Sequence, residues 1–236
     1  MNLVEKVNKN LPEGMGVELI PSFYRGRSCL KIKDNNAIRK NVFDLVQIHT
    51  CIEEIKYNRG IDEETVIQLY LNAEYADKVK ELLNFGIKTI SLPFEFKYYF
   101  KEKEELPFAY VCRDWVFDQL EMPELTRRED RIDANILLRK NLPDIIWTPE
   151  PQVDDIVAYF IPNYKMRTDP YPENNLSETV SHWGLVSNVN GTIQVRSKWD
   201  KHAVYEHPLA LVPKVEETLL TDAGYGDFVY FFRKIK

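Results

Sequence analysis

Residues 181–200 read SHWGLVSNVNGTIQVRSKWD. Two apolar runs, SHWGLVSN and TIQVRSKW, flank a turn, and the pattern predicts two adjacent strands. His182 heads the first of them, in a chain with only four histidines. A histidine in an apolar run packs, binds a metal or moves protons, and its surroundings decide which.

Reading outward, IVAYFIP precedes this pair and DFVYFFRK follows it, so residues beyond about 150 predict an antiparallel meander of four strands. Tyr225-Gly226 marks a turn before the last strand, with glycine supplying a permissive backbone. Upstream, FAYVCRDWVFDQL predicts a helix starting near Cys112, with Val116, Phe117 and Leu120 on its inner face and Pro123 interrupting it. RREDRIDANILLRKN predicts a second helix, charged on one side and ending before Pro143, and WTPEPQVDD a proline-rich loop.

The first part, to about residue 105, alternates strand-like and helix-like patterns. GVELIPSF and SCLKIKD predict strands. NAIRKNVFDLVQIHTCIEEIKYNRG has Val42, Leu45, Val46, Ile52 and Ile55 at helical spacing and ends at a glycine suited to a C-cap. TVIQLYL follows as a strand, AEYADKVKELLNFG as a helix closed by Gly86, and IKTISLPF as a strand, a βαβ-like second half. The charged, proline-ended YYFKEKEELP, residues 98–107, marks a boundary. The expected fold class is α+β: an α/β-type accessory domain over residues 1–105, then residues 106–236 with a helix-borne cysteine packed on an antiparallel sheet.

Hydrophobic content of 44% and aromatic content of 12% predict a folded globule. A net charge of −6 argues against a dedicated nucleic-acid binder, which needs a basic face. MNLVEKVNKN lacks the basic-then-apolar pattern of a secretory signal, and no apolar run approaches the roughly 20 residues that span a bilayer. A cytoplasmic location is therefore expected, with non-classical export as the other route. Cys29, Cys51 and Cys112 are an odd number at irregular spacing, which is no disulfide framework. CxxC, HExxH, GxGxxG and GxxxxGK[ST] are all missing, so no cofactor is expected. His49 and Cys51, alone in the long helix, are expected to be structural.

One constellation carries chemistry. A thiol nucleophile needs a lowered pKa and a nearby base. Cys112, in the first turn of a helix, gains from unpaired N–H groups and the positive end of the dipole. His182, at the start of a neighbouring strand, can face it, with a third polar group fixing the imidazole tautomer. Alternation places Gln194, Arg196 and Lys198 on one face of TIQVRSKW and Val195 and Ser197 on the other. Ser197 is the preferred third member, with Gln194, Arg196, Glu206 and His207 as rivals. If SKW is instead structural, Trp199 packs, Lys198 snorkels and Ser197 bonds backbone. A metal set built on His182, His202 and His207, with Cys112 or Glu206, is the weakest reading. His202 and His207 are five positions apart, and strand periodicity puts them on opposite faces.

Five segments together resemble bacterial papain-like proteins of the NlpC and CHAP kind: DDIVAY at Asp154–Tyr159, HWGLV at His182–Val186, VRSKWD at Val195–Asp200, YEHPLALVP at Tyr205–Pro213, and YGDFVYFFRK from Tyr225. The likeness begins near residue 108 and covers a little over half the chain. It implies a papain-like domain in which Cys112 is the nucleophile and His182 the base, with the third member on the strand after the histidine. It also implies an amidase, peptidase or acyl transferase acting on a peptide, a peptidoglycan-like substrate or an intracellular protein. The chain departs from the branch around Cys112 and in two loops, and RDWV follows the cysteine where the branch has Tyr-Ala a few residues on. Val111 stands where it commonly has Asn, and Asp200 and Asp154 stand where it has Gly. These departures favour the alternative, a non-catalytic binding or regulatory protein that keeps the papain-like shell.

Overall fold

The computed structural model describes residues 1–22, 26–33, 36–70, 73–89, 112–122, 144–161, 179–199, 203–214 and 225–235. Helix α1 is Leu3–Asn8, β1 is Gly16–Pro21, β2 is Ser28–Lys33, and the long helix α2 is Asn36–Arg59. Then come α3 (Glu63–Tyr70), α4 (Ala73–Asn84), β3 (Lys88–Thr89) and α5 (Cys112–Gln119). The remaining strands are β4 (Ile145–Thr148), β5 (Ile156–Ile161), β6 (Thr179–Asn188), β7 (Gln194–Lys198), β8 (Val204–Pro208) and β9 (Phe228–Lys234). The class is α+β, and every pairing among the described strands is antiparallel.

The strands form one sheet in the order β1-β2-β9-β5-β6-β7-β8-β3, with β4 also paired to β9. β5, β6 and β7 pair in succession as expected, but the strand that continues the meander is β8, which the sequence reading does not include, and β9 does not extend it. It returns to the other side of β5, with Ile156 opposite Phe232 and Phe160 opposite Phe228. Strands from both sides of residues 98–107 share this sheet, since β2 pairs β9 and β3 pairs β8. The boundary stretch itself, the expected second helix at residues 127–141 and most of IKTISLPF lie outside the described residues.

Of TVIQLYL, residues 65–70 are helical, and the βαβ-like reading falls with them. The residues just upstream decide the matter. Both carboxylate oxygens of Asp62 accept from Thr65, its N–H at 2.8 Å and its hydroxyl at 2.8 Å, and Glu63 and Glu64 complement the helix dipole. Val66 is buried against Ile52 and Val79, while Leu69 is exposed. The β-branched composition is overridden by the cap and by packing against α2 and α4.

The sheet is covered on both faces, which explains why IVAYFI and FVYFF are nearly continuous apolar runs rather than clean alternations. On one face α5 packs Trp115, Val116 and Phe117 against Ala158, Trp183 and Leu185. On the other face Val157, Tyr159, Val186 and Val195 pack beneath Val7 and the segment Leu209–Val212. α2 covers the β8 end of that second face through Val42, Leu45 and Val46 against Trp199 and Tyr205.

Candidate functional site

Cys112 begins α5, as the sequence predicts. The helix ends at Gln119, with Glu121 in the left-handed region (φ 54°) and the Met122 N–H returning to the Phe117 carbonyl at 2.8 Å. The thiol is held on the α5 side of the sheet, packed against the Trp183 cluster. Backbone N–H groups of Trp183 and Arg113 bond the sulfur and favour the thiolate, but burial outweighs them and pushes the Cys112 thiol up to about 11. This direction runs opposite to the lowered pKa expected at a helix start, because the field of the helix helps a thiolate only where the sulfur stays solvated.

His182 sits on β6 directly opposite Tyr159, and Trp183 sits opposite Ala158. Neighbouring residues of a strand point to opposite faces. Trp183 meets Phe117 of α5 with ring centroids 5.4 Å apart, whereas the His182 ring meets Tyr159 at 5.6 Å and Tyr225 edge-on at 4.0 Å. Cys112 and His182 are therefore carried on opposite faces, although the thiol touches the backbone of the very next residue. A register shift between Tyr159 and Phe160 takes Val180 rather than Ser181 as the next partner, so a bulge at Ser181 helps to aim the ring.

The His182 ring is fully buried, and neither nitrogen has a hydrogen-bond partner. Burial, reinforced by the neighbouring His207, holds its pKa well below 6.5, so the ring is neutral at physiological pH. The expected contact with Cys112 is not formed.

Ser197 is fully buried on β7, on the same side as Val195, in keeping with the predicted alternation. It serves a different histidine. Its oxygen lies 2.8 Å from His207 Nε2 and accepts from the Trp199 indole N–H at 2.7 Å. His207 Nδ1 is 2.9 Å from the Pro208 carbonyl, an acceptor only, so Nδ1 carries the proton and Nε2 accepts from the Ser197 hydroxyl. Ser197 bonds side chains, not the backbone as the structural reading of SKW expected. Burial takes His207 down to about 4. Trp199 stacks on Tyr205 at 4.7 Å, and the Tyr205 hydroxyl is 2.9 Å from Thr50 of α2.

Of the other rivals, Gln194, Arg196 and Glu206 are only partly buried. Arg196 reaches Asp154 at 3.2 Å. His202 and Asp200 lie outside the described residues. Among those described, no group of three or more His, Cys, Asp or Glu side chains is placed to hold a metal ion. His49 is buried next to Glu53, with Nε2 3.7 Å from the carboxylate. No helix among the described residues is long and apolar enough to cross a membrane.

Two anchors were not singled out from sequence. Asp155, at the start of β5, holds Arg233 of β9 by two bonds of 2.9 and 2.8 Å and accepts from the Gln152 N–H. Arg39 of α2 is fully buried and donates to the carbonyls of Val212 and Gly226 and to Asp227, at 2.9, 3.1 and 2.6 Å. Its position three residues before Val42 on the buried helix face was the available signal. No family model matches this chain, and no curated protein or solved structure matches it.

Proposed function

We propose that this chain is a non-catalytic binding or regulatory protein on a papain-like frame, recognising a peptide or protein partner. The observation that carries this reading is the placement of His182: buried, without a hydrogen bond, and facing Tyr159 and Tyr225 rather than Cys112. A Cys–His hydrolase needs the imidazole within hydrogen-bond reach of the sulfur, and it needs substrate to reach both. The frame reading rests on the order of elements, a helix-borne cysteine followed by an antiparallel meander. Asp154 adds to it. This residue stands where the branch carries glycine, and it adopts φ 68°, a conformation glycine takes freely.

One observation favours the hydrolase as a second reading. Two backbone N–H groups, from Arg113 and Trp183, bond the Cys112 sulfur at a helix start. With His182 brought to that face, Cys112 would attack an amide carbonyl, His182 would take the thiol proton and return it to the leaving amine, and N–H groups near Cys112 would hold the oxyanion.

Iodoacetamide labelling across about pH 6 to 10, followed residue by residue, separates the two. The binding reading expects Cys112 to react no faster than the exposed Cys51, with a rate still climbing above pH 9. Labelling of Cys112 that outpaces Cys51 and levels off below pH 8 would establish the hydrolase instead.

A further inference from the structure

The sheet face that carries His182 holds a second fully buried histidine, His207 on β8, and electrostatic repulsion between the two disfavours the protonated form of His182. The rings are packed into an aromatic seam, with Tyr225 4.0 Å from His182 and Trp199 4.9 Å from His207. His207 is satisfied as a neutral ring by Ser197 and Pro208. His182 is not satisfied at all, and a neutral imidazole always carries one N–H, so one buried donor stands without an acceptor.

The described groups in direct contact with the two rings are neutral. β5 contributes the Tyr159 phenol, which donates to the Leu209 carbonyl. β7 contributes the Ser197 hydroxyl and β8 the Tyr205 phenol, itself bonded to Thr50. From α2, Arg39 lies close enough to bear on Tyr159, His49 lies 6.1 Å from Tyr205, and Glu53, which pairs with Lys56, bears on Tyr205; the turn contributes Tyr225. Asp227, the acid of that turn, already serves Arg39 and Lys214 at 2.6 and 3.6 Å. Among the described residues no carboxylate hydrogen-bonds either imidazole. A proton arriving here would therefore create a buried cation with no carboxylate bonded to it, which must be expelled into water.

The closing element is the turn Tyr225–Gly226–Asp227. Its Asp227 N–H bonds the Phe160 carbonyl at 3.0 Å, and Arg39 holds the Gly226 carbonyl. Gly226 has φ 81°, and a Cβ there would stand 2.5 Å from the Phe160 oxygen, so the turn lies directly on the β5 backbone. We propose that the His182–His207 pair is an acid-triggered release. Uptake of a solvent proton by either imidazole drives that ring off the sheet face and lifts the Tyr225–Asp227 turn from β5. The surface so exposed is the aromatic seam of Tyr159, Trp199 and Tyr205, covered at neutral pH. This inference is independent of whether Cys112 reacts.

Hydrogen exchange of the full chain, read by mass spectrometry at about pH 7.5 and 5.0 and corrected for intrinsic rates, tests it. Peptides covering β6, β8 and residues 225–227 should open more often at the lower pH, by about 30-fold for one histidine and about 1000-fold for two. The α5 peptide should remain better protected than these peptides at the lower pH. His182→Phe should reduce the gain to the single-histidine value. In the parent protein, His182 imidazole resonances should shift only as those amides open, which gives a readout that does not depend on the variant folding. Equal protection at both pH values, opening of α5 together with the rest, an unchanged pH response in His182→Phe, or His182 titrating near pH 6.5 while β6 stays protected would each overturn the proposal.

Discussion

The Ser197 hydroxyl lies 2.8 Å from His207 Nε2, and the Trp199 indole donates to the same oxygen at 2.7 Å. All three side chains are buried, so one hydroxyl satisfies two groups that water cannot reach. Ser197→Ala strands both of them. The expected loss is about 2–3 kcal/mol in urea unfolding, with the slope unchanged. A loss under about 0.5 kcal/mol would mean that the site relaxes to rebond both groups.

Both His182 and His207 are neutral in the fold and have pKa values depressed by burial from 6.5. The unfolded chain therefore binds more protons. Stability is complete above about pH 6.5 and falls as pH drops, by about 1.4 kcal/mol per unit for each histidine. For His207 the fall continues to about pH 4. His49, also lowered by burial but countered by Glu53, acts in the same direction. Urea midpoints measured between pH 7.5 and 5 should decline steeply, and a flat profile would contradict the buried, neutral placement of these rings.

Arg39, fully buried, joins α2 to the turn before β9 through three acceptors among the described residues. Arg39→Met keeps much of the volume but leaves the Val212 and Gly226 carbonyls unpaired and Asp227 with Lys214 alone. The expected cost is about 3 kcal/mol by chemical denaturation, with faster exchange at residues 225–227.

Two backbone positions should respond in opposite directions. Asp154→Gly relieves a left-handed aspartate at φ 68° and loses only an exposed ion pair with Arg196, so stability should rise by about 0.5 kcal/mol. Gly226→Ala puts a methyl group against the Phe160 carbonyl at φ 81° and should cost about 2 kcal/mol or more. Thermal melts of the two variants check both signs.

Several elements were legible because their signals are local. The α2 stripe from Val42 to Ile55, the helix start at Cys112 and the strands around Tyr159, His182, Val195 and Phe231 each follow from spacing within a dozen residues. TVIQLYL misled because its β-branched composition was weighed without the Asp62 cap and the packing of Val66 on Ile52. β4 is hidden in a loop, as a short strand beside Pro149 that extends by pairing with β9 and packing Ile145 into the core.

For the candidate site, the sequence by itself determined residue types and their order along the chain: a cysteine opening a helix, a histidine on a strand, and alternation that puts Ser197 with Val195. It could not determine which face of the sheet each side chain shares, because that depends on the bulge at Ser181 and on what packs against each face. Only the tertiary structure decided that His182 turns to Tyr159 and Tyr225, that Ser197 belongs to His207, and that burial raises the Cys112 thiol instead of activating it. The physical reason is that a strand gives every residue two alternative sides, and desolvation is set by neighbours far away in the chain.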